Sequence, residues 1–254
     1  MKNKEMTRRT FLKKLGIIGG GILVGAGVID KVFAGSAPST EKYSKFLREN
    51  EYFVPGEVLL NYLDCISNYR IGNNVNGTYI DKNYLQYGRK DRMGNFIREL
   101  RKKGHLDKEI KNFCNLFTTF GNININQSLC KKPSLLKLVL EHERTHKEVD
   151  LLSKNDQRKI MDAYLSLRKM NHPNKGLKHF FVGNPRFPLV LSELERNPNE
   201  FPPYFINGVF GEHVELALKE NFQDAYKVLY KIKQKVRSNM PLRFNKKLLL
   251  SESK

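Results

Sequence analysis

Three residues in the middle of the chain carry the strongest chemical signal: His142, Glu143 and His146, within LEHERTHKEVD from Leu140 to Asp150. Placed on a helix, Leu135, Leu138, Val139, His142, His146 and Val149 share one face. Histidines four residues apart stand side by side, with Cβ atoms about 5–6 Å apart, so both imidazoles reach one cation. Zinc suits such a pair, because it takes neutral imidazole nitrogen at about 2.0–2.1 Å in a tetrahedral shell. Glu143, one residue on, projects about 100° around the helix. That is too far round for a third ligand and well placed for a water in an open position of the metal. Zinc lowers the pKa of such a water toward about 7, and a carboxylate beside it can take the proton as the water attacks a carbonyl. The same residues also fit a charged surface helix whose histidines are solvated or pair with Glu141 or Asp150.

The elements that must position this helix are legible in periodicity and punctuation. After Pro55-Gly56, helical spacing appears at Val58, Leu59, Tyr62, Leu63 and Ile66. It returns from Arg92 to Lys103 and from Leu106 to Leu116. Short β-like pieces lie around Thr78 to Ile80 and Tyr84 to Tyr87. FGNININQ alternates Ile123 and Ile125 with Asn122, Asn124 and Asn126, which predicts a strand with one wet face. Pro133 suits the start of the histidine helix, with Ser134 as an alternative cap. Another helix is expected over Asn155–Met170, ending near His172 because Pro173 follows. Prolines at 185, 188, 198, 202 and 203 interrupt the chain, and a helical pattern runs from Tyr204 to about Ser238. The expectation is an α+β fold, mostly helical with a small mixed sheet. Residues 38–254 would form a single domain with a loose basic tail from about 241.

The chain has 254 residues, 45 Lys+Arg against 26 Asp+Glu, and a net charge of +19. Its 40% hydrophobic content suits a globular protein with a core of its own. Seven of the cations and two of the acids fall in residues 1–34, so most of the basic excess belongs to the rest of the chain. Residues 1–37 do not read as fold. TRRTFLKK carries Arg8 and Arg9, LGIIGGGILVGAGVI is apolar, and VFAGSA ends the segment with small residues. The segment resembles a twin-arginine export signal. That resemblance implies recognition by the Tat translocase and export across the cytoplasmic membrane; the small residues allow cleavage after Ala34 or Ala37, and a general secretory signal and an uncleaved anchor are the alternative readings. The mature chain would then be secreted or envelope-associated. A basic exported surface suits anionic envelope polymers or lipid headgroups as partners. No nucleic-acid recognition motif appears. Cys65, Cys114 and Cys130 match no metal-binding spacing, and a disulfide plus a thiol or three thiols are both compatible with the sequence.

HERTH at 142–146 resembles the active-site helix of the zincin metallopeptidases. The resemblance implies a zinc-dependent peptidase with a peptide or protein substrate, His142 and His146 as metal ligands and Glu143 as general base. It also implies an edge strand that pairs with extended substrate, and GNININQ is in a suitable place in the sequence. The continuation KEVDLL lacks the glycine and histidine of the metzincin pattern. The gluzincin pattern, with a glutamate on a later helix, remains. Phe210-Gly211-Glu212 resembles the Phe-Ala-Glu stretch of several gluzincin-like families, which makes Glu212 the expected third ligand. Glu215 and His213 are the alternatives, and Asp150 suits a partner for His146 better than a ligand. Tyr204 and His179 are candidates for a transition-state donor, against a plain packing role for each. His105 and His172 read as surface residues. Two other functions use the same features: a non-enzymatic basic protein that binds envelope polymer or lipid, and a zinc amidase acting on envelope polymer.

Overall fold

The computed structural model describes residues 43–44, 46–66, 76–81, 90–169, 194–195, 197–210 and 212–238. The export signal, Tyr84–Tyr87, His172, His179 and the tail from 241 lie outside the described residues. Those described are mostly helical with one small sheet, an α+β arrangement. They divide into two compact units, one reaching Leu136 and the other running from Lys137 to Leu242. Among the described residues no helix is long and apolar enough to cross a membrane.

Among the described residues, the first unit holds a three-stranded sheet and three helices. Strand β1 (Glu51–Val54) pairs in parallel with β3 (Ile123–Asn126), and β2 (Gly77–Tyr79) pairs antiparallel with the other side of β3. Helices α1 (Gly56–Ile66), α2 (Lys90–Lys102) and α3 (Asp107–Thr118) bury apolar residues at helical spacing. Val58, Leu59 and Tyr62 come from α1, Phe96 and Leu100 from α2, and Ile110, Phe113 and Phe117 from α3. Tyr62 stacks on Phe117 with ring centroids 4.1 Å apart, and Phe96 meets both edge-on. Aromatic pairs of this kind contribute about 0.5–1.5 kcal/mol beyond the area they bury. Helix α2 stops at Gly104, whose φ of +83° only glycine adopts without cost. His105 then bonds back to Leu100 O. Helix α3 begins with Glu109 accepting from the Leu106 N–H at 3.0 Å, which is half of a capping box because leucine offers no acceptor.

Three sequence expectations change here. Strand β1 escaped notice because EYFV is short and its partner lies about seventy residues on. His105 is not a surface residue: its side chain is 11% exposed, with Nδ1 3.6 Å from Glu109 and Nε2 3.9 Å from Glu57. Strand β3 forms where the alternation placed it, but it is the central strand, in the order β1-β3-β2. Both of its edges are hydrogen-bonded, so it is not the expected edge for a substrate strand. Its asparagine face is not wet either. Asn122 and Asn124 are buried, and both donate Nδ2 to Leu116 O in the last turn of α3, at 3.0 and 3.2 Å. A helix C-terminus leaves such carbonyls without partners, so the two amides make α3 and β3 one unit.

The described residues of the second unit are mostly helical. Helix α4 (Pro133–Asp150) enters it from Lys137 and is followed by α5 (Lys154–Lys169), a 3-10 turn (Pro198–Glu200), α6 (Phe201–Ile206), α7 (Glu212–Asn221) and α8 (Gln223–Ser238). Its core joins Ile160, Tyr164 and Leu167 of α5, Phe201 and Phe205 of α6, Val214 and Leu218 of α7, and Leu229, Ile232 and Val236 of α8. Pro202 and Pro203 do not interrupt the chain. They sit in the first turn of α6, where the missing N–H costs nothing. The pattern from Tyr204 to Ser238 is three helices, the first ended by Gly208 at φ +70°.

Replacing Asn124 by Ala removes a buried donor from the Leu116 carbonyl. The expected loss is about 1–2 kcal/mol of unfolding free energy in urea titration. A change within experimental error would mean that the two amides do not tie α3 to β3.

Candidate metal centre

Helix α4 buries charge on much of its surface. Glu141, Glu143, Arg144 and Glu148 are all buried, as is Thr145, whose Oγ1 donates to Glu141 O at 2.7 Å. Arg237 of α8 lies 3.6 Å from Glu141, and Lys235 pairs with Glu148. Arg237 also donates to Ile206 O at 2.8 Å, which caps the end of α6. Asn207 donates Nδ2 to Leu138 O at 3.3 Å. These bonds hold α4, α6 and α8 together and set Tyr204 against His142, with ring centroids 5.5 Å apart and planes at 68°.

On this framework three side chains converge. His142 Nε2 and His146 Nε2 lie 3.3 Å apart. Glu200 Oε2 is 3.0 Å from the first and 3.3 Å from the second. Among the described residues this is the one group of three or more His, Cys, Asp or Glu side chains whose ligand atoms lie within 4.8 Å of one another. Donors held at about 2.0–2.1 Å in a tetrahedral shell stand about 3.3–3.4 Å from each other, so the triangle has nearly the size that zinc requires. Glu200 Oε2 is buried and, despite its short approaches, makes no properly directed hydrogen bond. A buried acceptor in that state is costly unless a cation completes it. Two neutral imidazoles and one carboxylate are a donor set that zinc takes, with the carboxylate offsetting one of its two charges. Burial pushes the Glu200 carboxyl up, but the two imidazoles beside it prevail and hold it well below the usual carboxylate range. The His142, His146 and Glu200 side chains are largely buried, keeping 20%, 19% and 13% of their surface exposed.

The third member of the cluster is therefore Glu200 where Glu212 was expected. Glu212 lies exposed in the first turn of α7 and is outside the group. Glu215 is engaged elsewhere, accepting from Tyr226 at 2.9 Å with Lys219 at 3.4 Å and Lys233 at 3.9 Å. The side chain of His213, and Gly211, lie outside the described residues. Asp150 ends α4 and is not in the group. Glu143 is 8% exposed. Cys65, Cys114 and Cys130 are thiols, and burial pushes the Cys65 and Cys114 thiols up.

Sequence reasoning passed over Glu200 because it follows Asn197-Pro198, a pair that marks a break. The available signal was local. Asn197 caps the turn by accepting from the Asn199 N–H, Pro198 occupies the first position, and Glu200 immediately precedes an apolar helix. No protein-family model, curated protein or solved structure matches this chain.

Two predictions follow from this geometry. Mass spectrometry of the purified chain loaded with zinc should find about one ion per chain. Glu200→Ala and His146→Ala should lose it, whereas Glu212→Gln and Glu215→Gln should keep it. Loss in Glu212→Gln with retention in Glu200→Ala would reverse the assignment. The second concerns pH. Desolvation raises the Glu215 carboxyl, but Tyr226, Lys233 and Lys219 more than offset it, and the net shift is downward. A folded value below the unfolded value of about 4.3 gives stability that is full at neutral pH and lost as pH falls through the folded value. Glu215→Gln should therefore cost up to about 1 kcal/mol at neutral pH, and the difference from wild type should close in acid. A gap that persists in acid would rule this out.

Proposed function

We propose that this chain is an exported zinc-dependent hydrolase of peptide bonds. The observation that carries this reading is the triangle of His142, His146 and Glu200, beside a buried glutamate one residue after the first histidine. His142, His146 and Glu200 would hold the ion, and their chemistry and spacing fit it. Bound zinc supplies Lewis acidity, which makes water a nucleophile at neutral pH and polarises a carbonyl. The remaining steps belong to the protein. Glu143 takes the proton from the attacking water and passes it to the departing amine. Tyr204, packed on the His142 ring and one helical turn after Glu200, serves as donor to the developing oxyanion. The choice of peptide over another amide rests on the resemblance of HERTH to the zincins. Export rests on the resemblance of residues 1–37 to a twin-arginine signal.

Glu143→Gln separates binding from chemistry. The variant should carry as much zinc as wild type while hydrolysis of a fluorogenic peptide library falls by about 10²–10⁴. Retained hydrolysis would overturn the role of Glu143, and loss of zinc would make it a structural residue.

A further inference from the structure

Glu200 presents its two oxygens to different partners. Oε2 faces the histidines, while Oε1 accepts from Asn197 Nδ2 at 3.0 Å. Asn197 is tied into the same turn at two further points. Its Oδ1 accepts from the Asn199 N–H at 3.2 Å, and its backbone carbonyl accepts from the Glu200 N–H at 3.1 Å. Pro198 fixes φ between them. Asn197 and Glu200 are thus held together by a turn that has little freedom to relax.

The choice of asparagine is informative. Serine and aspartate cap a helical start as well as asparagine does, because a cap needs only an acceptor. An amide adds a donor on the same side chain. At Asn197 the acceptor is used for the cap and the donor for Glu200. A carboxylate with one oxygen so engaged is biased to offer only the other to a cation. One with both oxygens unengaged can chelate and take up two coordination positions.

We infer that Asn197 is a positioning residue: it retains Glu200 Oε1, so that the carboxylate gives the cation one oxygen and leaves coordination positions open for water and substrate. This rests on the reading of His142, His146 and Glu200 as a metal centre. Outer partners of this kind typically change metal affinity by about 10–100-fold. The device accounts for Glu200 being served by a turn of only three residues, since the carboxylate is oriented from within its own turn.

The test uses the full chain and two variants that keep the cap. Asn197→Ser retains an acceptor and has no reach to Glu200. Asn197→Asp retains the acceptor and the side-chain length but replaces the donor with a charge that repels Glu200. Each is titrated with Co²⁺ and followed by its visible absorption, which is more intense for four-coordinate cobalt than for higher coordination numbers. Each is also titrated with Zn²⁺ against a competing chelator, with thermal unfolding of the metal-free chain as the check on folding. Wild type should give the intense spectrum. Both variants should give a weaker one and bind zinc about 10–100-fold less tightly. An unchanged cobalt spectrum in either variant overturns the inference, whatever the zinc affinity. A wild-type chain that takes up neither cation overturns the metal reading and this inference with it, so the two failures are distinguishable.

Discussion

The second unit depends on a helix that has to bury charge. Within eight residues α4 buries Glu141, Arg144 and Glu148 as well as Glu143, and charge leaves water only at a cost that pairing must offset. Arg237 and Lys235 of α8 supply partners for Glu141 and Glu148. The guanidinium of Arg237 extends the constraint, because it also satisfies the terminal carbonyl of α6. The end of α6 is therefore located by the same side chain that neutralises α4. Glu200 and Tyr204, at the head of α6 and within it, inherit their position against His142 from that arrangement.

Such a framework suits a site that has to be accurate. Apolar packing between helices tolerates small sliding, whereas the bond from the Arg237 guanidinium to the Ile206 carbonyl requires direction as well as contact. The aromatic group of Phe201, Phe205, Phe210 and Tyr164 stabilises the unit from behind. Phe201 directly follows Glu200, so the anchor of α6 in the core is also the anchor of the carboxylate.

The first unit shows a comparable use of polar groups in a buried place. Asn122 and Asn124 could have been hydrophobic on a strand whose other face carries Ile123 and Ile125. They instead satisfy a carbonyl at the end of α3. The period-two pattern was legible and correctly indicated a strand. Its polar positions were mistaken for solvated ones because the sequence does not reveal what covers a face. The same limit explains the central place of β3: pairing with β1 is a contact across roughly seventy residues, and no local pattern encodes it.

The sequence by itself determined the features that depend on the covalent period of the chain. His142 and His146 face the same way because a helix has 3.6 residues per turn, and the helices of both units follow from apolar residues at that spacing. The identity of the third residue in the cluster was decided only by tertiary structure. Glu200 lies more than fifty residues beyond His146, in a proline-marked turn that reads as a break. The expected residue, Glu212, had the more helical surroundings, but α7 places it in solvent. What brings Glu200 to the histidines is the turn built by Asn197 and Pro198, joined to a helix held by Phe201 in the core and by Arg237 at its far end. These forces act between segments distant in sequence, so local pattern identified the helix that carries both histidines and packing brought the carboxylate beside them.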